Sequence, residues 1–290
     1  MTGPTPRPCV ADGLSSVPSR PGNRGETRIT TLHHVTDPAL TYSNYLALDE
    51  VLGAQRPRSD EHDEMLFIVI HQVYELWFKQ LLHELGRAQE LLESGQTPRV
   101  LFTLKRVLTI LKVAVSQVDV LETMTPSQFS HFRNRLEAAS GFQSGQFREL
   151  EAVLGIRSER TQPGAAGERL SAARSRPSLW DSYARYLVTQ GYAVPPAVLD
   201  RDVTQPVEPN AEIQDVLLTV YAHDGGAAQV TERLVDLDEG LQEWRYRHVK
   251  MVERTIGDKP GTGGSAGAAY LRSTLSQPVF SDLWAVRSRL

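Results

Sequence analysis

Apolar residues recur at helical spacing along most of the chain from Tyr42 onward, and stop signals separate the periodic segments. The longest such segment covers 62–94 and ends at Ser94-Gly95, with glycine in its usual position just past a helix. Thr97-Pro98 then begins a second helix, and Thr125-Pro126-Ser127-Gln128 begins a third with the T-x-x-Q spacing of a capping box. Further helices are predicted at 142–154, 177–190, 210–223, 229–256 and 266–275. The pattern predicts an all-α fold.

Three stretches lack this periodicity. Residues 1–27 hold five prolines and four glycines without an apolar run suited to a secretory signal, so we expect a disordered tail, which carries Cys9. Residues 28–36 are at most extended, and the polar stretch 156–176, with Pro163-Gly164, is predicted to be a surface loop. We therefore expect one helical domain over residues 28–290.

Composition narrows the chemistry. Of the 290 residues, 40% are apolar and 23% charged, which is typical of a globular protein. The net charge of −4 provides no field to hold a nucleic acid, and no run approaches the roughly 18 apolar residues of a membrane span. One cysteine excludes a disulfide framework, Cys-ligated zinc and iron–sulfur clusters. We expect a cytoplasmic protein whose chemistry depends on His, Arg, carboxylates or a bound cofactor.

Two histidines lie on apolar helix faces. His71 follows Phe67 by one helical turn, and it is either a hydrogen-bonded core histidine or a site residue. His248 lies on one face with four apolar residues, namely Leu241, Trp244, Met251 and Val252. A neutral imidazole on such a face suits the iron of a porphyrin, whose propionates Arg245 and Arg247 could meet, although a satisfied core histidine fits the same pattern.

An arginine is embedded in a third apolar stripe. Arg133 shares a helix face with Phe129, Phe132 and Leu136, and an unpaired guanidinium cannot be buried there. Its partner is either a protein carboxylate or the carboxylate of a ligand. The glycine-rich turn 261–267 leads into a helix and could hold an anion through backbone N–H groups. It lacks the lysine of a P-loop and follows a helix rather than a strand, which disfavours nucleotide binding.

Taken together, these segments resemble the tryptophan 2,3-dioxygenase family, haem enzymes that open the indole ring of tryptophan. The similar pieces are TYSNYLALDEVLGAQ (41–55), HDEMLFIVIHQVYELWFKQLLHEL (62–85), LETMTPSQFSHFRNRL (121–136), SGFQS (140–144), RYRH ending at His248, and GTGGSAG (261–267). They occur in the family's order and span about 41–290.

The resemblance assigns roles that the residue patterns left open. It implies that His248 ligates the iron of haem b and that His71 lies on the opposite side near the indole N–H. It also implies that Arg133 holds the substrate carboxylate and that Thr262 binds the amino-acid head group. The remaining substrate-binding positions that it implies are Phe67, which packs against the indole, Phe129 and Leu136, and also Tyr42, Tyr45 and Leu46, which reach a neighbouring subunit's site in a homotetramer.

The implied activity is the insertion of O₂ across the indole C2–C3 bond of L-tryptophan, with ferrous haem, to give N-formylkynurenine. One alternative is mono-oxygenation of a substituted tryptophan to a 2-oxindole at the same haem site. Another, of a different class, is a non-catalytic sensor of haem or of indole amino acids. No sequence motif separates the first two, because they share the first oxygen-transfer step.

Overall fold

Helices form every regular element in the part of the chain that the structure describes, which confirms the all-α fold class. A computed structural model describes residues 39–137, 139–159, 161–262 and 267–290. The predicted tail with Cys9 and the predicted extended segment 28–36 lie outside the described residues, as do positions 263–266 of the glycine-rich turn.

The α-helices of the described residues follow in chain order, with two short 3-10 helices between or after them. They are α1 (Tyr42–Tyr45), α2 (Leu48–Leu52), α3 (His62–Glu93), α4 (Thr97–Leu121), α5 (Pro126–Arg133), α6 (Gly145–Leu154), α7 (Gly164–Arg174), α8 (Leu179–Thr189), α9 (Pro196–Leu199), α10 (Ala211–His223), α11 (Gly226–Ile256), α12 (Ala268–Arg272) and α13 (Ser281–Ala285), with 3-10 turns at Gly141–Gln143 and Val286–Arg289.

Two of the predicted start and stop signals act where the sequence places them, whereas α4 takes Gln96 as its N-cap and already includes Thr97. Helix α3 ends just before Gly95, whose φ of 68° lies in the left-handed region that glycine adopts without strain. At the start of α5, the Thr125 hydroxyl accepts a hydrogen bond from the Gln128 N–H at 3.3 Å. The Gln128 side-chain oxygen in turn accepts from the Thr125 N–H at 2.8 Å, which confirms the capping box.

The prediction of a surface loop over 156–176 is wrong for its second half. Helix α7 occupies Gly164–Arg174, directly after Pro163, and packs against α6. Leu170 is the one residue of this helix that is buried. A helix with a single buried position has no apolar stripe, so its periodicity is too weak to be seen in the sequence.

The chain divides after Val51 into two compact units. In the described part of the first unit, a capping box between Thr41 and Asn44 begins α1, with the Thr41 N–H donating to the Asn44 side chain at 2.7 Å. The second unit, Leu52–Leu290, contains the long helices. The predicted domain boundary at residue 27 stays a prediction.

Three long helices organise the second unit, because α4 packs against both α3 and α11. Gly240 on α11 permits a close approach to α4, since a Cβ at this position would lie only 2.8 Å from a methyl group of Leu111. Helices α6 and α8 also pack against α3. The resulting main core is formed by buried apolar side chains such as Leu85, Leu92, Leu104, Leu187, Leu217 and Leu234.

Two buried carboxylates fasten segments that are distant in sequence. Asp238 on α11 accepts hydrogen bonds from the N–H groups of Val279 and Phe280 at 2.8 and 2.9 Å and from the Trp284 indole at 3.0 Å. Asp181, at the start of α8, accepts two hydrogen bonds from the guanidinium of Arg201, at 2.7 and 2.9 Å. Both carboxylates are thus satisfied by several donors, as burial requires.

A smaller apolar cluster lies where α3, α5 and the end of α4 meet. Its buried members are Ile70, Leu121, Met124, Phe129 and Phe132. Because α5 carries Arg133 directly after Phe132, this cluster fixes the position of the arginine. Among the described residues, no helix is both long and apolar enough to cross a bilayer.

Candidate functional site

A cavity of about 230 Å³ lies in the second unit, bounded by α3, α5, α11 and the segments that follow α5 and α11. Its wall is mostly apolar and includes Phe67, Phe78, Phe129, Phe142, Phe147, Trp244 and Met251. Four of the polar residues predicted for the site also line it, namely His71, Arg133, His248 and Thr262. The structure therefore brings together residues that are up to 191 positions apart in the chain.

His71 is oriented by its own helix. Its Nδ1 lies 2.7 Å from the carbonyl oxygen of Phe67, which can only accept, so Nδ1 carries the proton. Burial lowers the pKa of His71, although the Phe67 carbonyl and the charge of Glu75 partly oppose this shift. The ring is therefore neutral near pH 7, and its Nε2 presents a lone pair. The Phe67 ring packs against the imidazole, with 4.2 Å between their centres.

His248 lies on α11 and lines the same cavity. Burial lowers the pKa of His248 to about 4, with smaller contributions from His71 and the positive charge of Arg148, so the imidazole is neutral at pH 7. Neither ring nitrogen hydrogen-bonds to another described residue. The apolar face predicted around it is confirmed for Trp244, 5.0 Å away between ring centres, and for Met251 and Val252. Leu241, from the same predicted face, is buried in the main core instead.

Arg133 has no carboxylate partner among the described residues. Its Nη2 donates to the carbonyl oxygen of Pro260 at 2.5 Å, which ties the end of α5 to the beginning of the glycine-rich turn. Thr262 makes a second tie, because its hydroxyl donates to the Ala139 carbonyl at 2.7 Å. The arginine thus keeps donors that no protein acid uses, at the wall of the cavity.

Two further predicted positions differ in their placement. Phe129 lines the cavity and packs against Phe67, with 5.7 Å between ring centres. Leu136 packs at the edge of the smaller cluster and is not among the described residues that line the cavity. The reason is that α5 ends at Arg133, so the helical spacing that would place Leu136 on the same face is interrupted.

Sequence reasoning missed a group of charged residues on the same wall. Arg148 on α6 is 8% exposed at its side chain and pairs with Glu151 at 2.5 Å, and its guanidinium lies 5.1 Å from the centre of the Phe147 ring. The signal was available, because an arginine inside the apolar-periodic segment 142–154 calls for the argument applied to Arg133.

The two arginines beside His248 point in different directions. Arg245 is buried, lines the cavity and donates to the carbonyls of Thr274 and Gln277 at 3.2 and 2.9 Å. The expectation that Arg247 also faces this space is wrong. Arg247 instead pairs with Asp119 and Glu122 at the end of α4, away from the cavity lining.

Tyr42, Tyr45 and Leu46 belong to the first unit. Tyr42 and Tyr45 are the end residues of α1, and Leu46 is its C-cap. Their exposed fractions are 76%, 71% and 39%, which leaves three large side chains accessible on one short helical turn.

Comparison with known proteins agrees with the segments quoted above. Residues 28–167 and 216–290 match the family described as Tryptophan 2,3-dioxygenase. The tryptophan 2,3-dioxygenase of Anaeromyxobacter sp. (strain K) is 66% identical over 266 residues, which cover 88% of this chain and 100% of that protein. The enzyme of Herpetosiphon aurantiacus is 57% identical over 87% of this chain and 99% of its own length, and that of Caulobacter vibrioides is 44% identical over 87% and 98%. Since the matches cover both sides of the cavity from α3 to the glycine-rich turn, the chain belongs to the tryptophan 2,3-dioxygenase family.

Proposed function

We propose that this chain is a haem-dependent dioxygenase that converts L-tryptophan and O₂ to N-formylkynurenine. One observation carries the proposal in a chain of this family. Two neutral imidazoles and Arg133, which has no acid partner among the described residues, border a single mostly apolar cavity. The imidazole of His248 can ligate a metal, and that of His71 can accept a hydrogen bond from an N–H group. The guanidinium of Arg133 can pair with a carboxylate.

The residues around His248 fit haem b. Among the described residues, no group of three or more His, Cys, Asp or Glu side chains could hold a bare metal ion. A porphyrin brings four nitrogen ligands of its own, so a single imidazole suffices to hold its iron, and the neutral ring of His248 would supply it. The indole Nε1 of Trp244 and the Nε of Arg148 are buried and have no hydrogen-bond partner among the described residues, so polar atoms of this wall are left for a ligand.

Arg148 and Arg245 are the residues that would hold the acidic groups of haem. Both are buried at the cavity wall; Arg148 pairs with Glu151, whereas the hydrogen bonds of Arg245 to described residues go to backbone carbonyls. Apolar contact with the macrocycle would come from Phe142, Trp244 and Met251. Bound haem, in its ferrous state, supplies the redox-active iron that the reaction with O₂ requires.

The substrate would be held at both of its ends. The Nε2 lone pair of His71 accepts the indole N–H, and Phe67 packs against the indole ring. Arg133 pairs with the α-carboxylate, and Thr262 contacts the head group. In this arrangement His71 orients the indole rather than removing its proton, because burial lowers the pKa of the imidazole and makes it a weak base. Phe129 completes the apolar side, whereas Leu136 lies outside the cavity lining.

We also propose that the active enzyme is a homotetramer in which Tyr42, Tyr45 and Leu46 contact a neighbouring subunit's substrate. Three exposed large side chains on one turn favour burial by another chain. The cytoplasmic location expected from the sequence remains a prediction.

The test is to supply the reduced, haem-loaded protein with L-tryptophan and ¹⁸O₂ and to weigh the product. We expect incorporation of two labelled oxygen atoms without continuous supply of a reductant. Incorporation of one labelled atom, dependent on a reductant, would replace dioxygenation by formation of a 2-oxindole. Binding of tryptophan without any product would establish a sensor instead.

A further inference from the structure

A glycine lies against the nitrogen of His71 that faces the cavity. Gly141 begins the 3-10 turn after α5, and the hydroxyl of Ser140 caps this turn by accepting from the Phe142 N–H at 3.3 Å. A Cβ at position 141 would lie 3.9 Å from Nε2 of His71 and 4.0 Å from Cδ2. The backbone of the turn thus passes along the ring edge that carries the lone pair.

The absence of a side chain at Gly141 matters because Nε2 is the only ring nitrogen of His71 that is open to a ligand. The other nitrogen, Nδ1, is engaged by the Phe67 carbonyl. Any ligand that hydrogen-bonds to His71 must therefore approach Nε2, and it must share the space beside Gly141, which also lines the cavity. A methyl group at van der Waals distance from Nε2 would narrow the range of directions from which an N–H donor can reach it.

We propose that Gly141 is a specificity-determining residue that keeps Nε2 of His71 open to the N–H of an indole ring. The proposal rests on the proposed function, since it takes an indole amino acid as the ligand. Through this opening the enzyme distinguishes a ring with an N–H donor from a ring of the same shape without one. A site that bonds to a polar group rejects analogues that lack it, because its own acceptor is then left without a partner.

The position tolerates the substitution needed for a test. Gly141 is not among the glycines with positive φ, so an L side chain meets no backbone strain there. Apart from the two His71 ring atoms, no described atom outside its chain neighbours lies within 4 Å of the added Cβ. We therefore expect Gly141→Ala to fold and to change the surroundings of His71 alone.

The experiment compares L-tryptophan with its benzofuran counterpart, in which an oxygen atom replaces the N–H. Dissociation constants are measured without O₂, and kcat/KM with O₂, for the wild type, Gly141→Ala and Gly141→Ser. We expect Gly141→Ala to lower the preference for tryptophan about 2- to 10-fold, the worth of one net hydrogen bond. Gly141→Ser should lower it further, because its hydroxyl can itself donate to Nε2. Gly86→Ala on α3 is the matched control, since a Cβ there meets open space.

A double-substitution cycle decides whether the effect passes through His71. In a His71→Ala background, Gly141→Ala should leave the preference for tryptophan unchanged. An unchanged preference in the single variant, or an equal loss in both backgrounds, would overturn the proposal. If the wild type binds tryptophan in preference to the benzofuran but forms no product, the proposed function fails. The dissociation constants of the Gly141 variants then still decide the inference about Gly141, so the two failures are distinguishable.

Discussion

Replacing Arg133 by methionine tests how the enzyme holds its substrate. The substitution keeps much of the side-chain volume but removes the charge and all five N–H donors. One donor is used by the Pro260 carbonyl, at 2.5 Å, so the others remain for a carboxylate. Loss of a charge-assisted pair costs about 2–5 kcal/mol, and each 1.36 kcal/mol is tenfold in rate. We therefore expect kcat/KM for tryptophan to fall about 30-fold to several thousand-fold.

The assay measures N-formylkynurenine formation from L-tryptophan and ring oxidation of tryptamine, which lacks the carboxylate. The methionine variant should lose activity with tryptophan and change little with tryptamine. Arg133→Lys should recover only part of the loss, because an ammonium keeps the charge but not the planar fork. An equal loss with both substrates would refute the reasoning and would assign Arg133 to holding the Pro260 segment.

Three other substitutions test the cofactor site and the fold. His248→Ala should abolish haem retention, measured as haem absorbance per protein, whereas the control His223→Ala on α10 should bind haem normally. Normal haem content in His248→Ala would contradict the assignment of His248 to the iron. Asp238→Ala leaves one buried and two partly buried N–H donors, those of Phe280, Val279 and Trp284, without this acceptor. Urea unfolding should show a loss of about 3 kcal/mol, and a loss below about 1 kcal/mol would mean that the donors find other partners. Burial raises the pKa of Asp181, but hydrogen bonds from Arg201 and the N-terminal turn of α8 outweigh it and hold the pKa below its usual value. The pair therefore stabilises the fold above about pH 4 and loses this contribution as the pH falls through the lowered pKa, and Asp181→Asn should flatten the dependence of unfolding free energy on pH in that range.

The fold could be predicted wherever a helix buries a continuous stripe. Helices α3, α4 and α11 pack along most of their lengths, and this burial imposes the 3.6-residue repeat that the sequence displays. Helix α7 escaped prediction because only Leu170 is buried, and so no repeat is imposed. Local chemistry was equally informative at Thr125, where a capping box depends on residues only three positions apart.

Several residues of the candidate site were predictable, but their surroundings were not. Residue patterns singled out His71, Arg133 and His248 because a polar group on an apolar face requires an explanation. Their roles came from the family resemblance, since spacing along a helix does not show what lies opposite. Arg247 shows the limit of the pattern, because it is next to His248 in sequence yet pairs with Asp119 and Glu122 at the end of α4.

The contacts that orient the site residues explain why sequence patterns do not predict the surroundings of these residues. His71, Arg133, Thr262 and Arg245 all donate to backbone carbonyls, and these lie between 4 and 127 residues away in the chain. Every residue has a backbone carbonyl oxygen, so the amino-acid type does not reveal which carbonyl will accept the hydrogen bond. Only the path of the folded backbone brings that carbonyl into place. Side-chain acceptors would have added carboxylates to the cavity and competed with the substrate for Arg133. Orientation by carbonyls leaves the guanidinium its charge and the imidazole its lone pair, which are the two properties that a carboxylate and an N–H donor require.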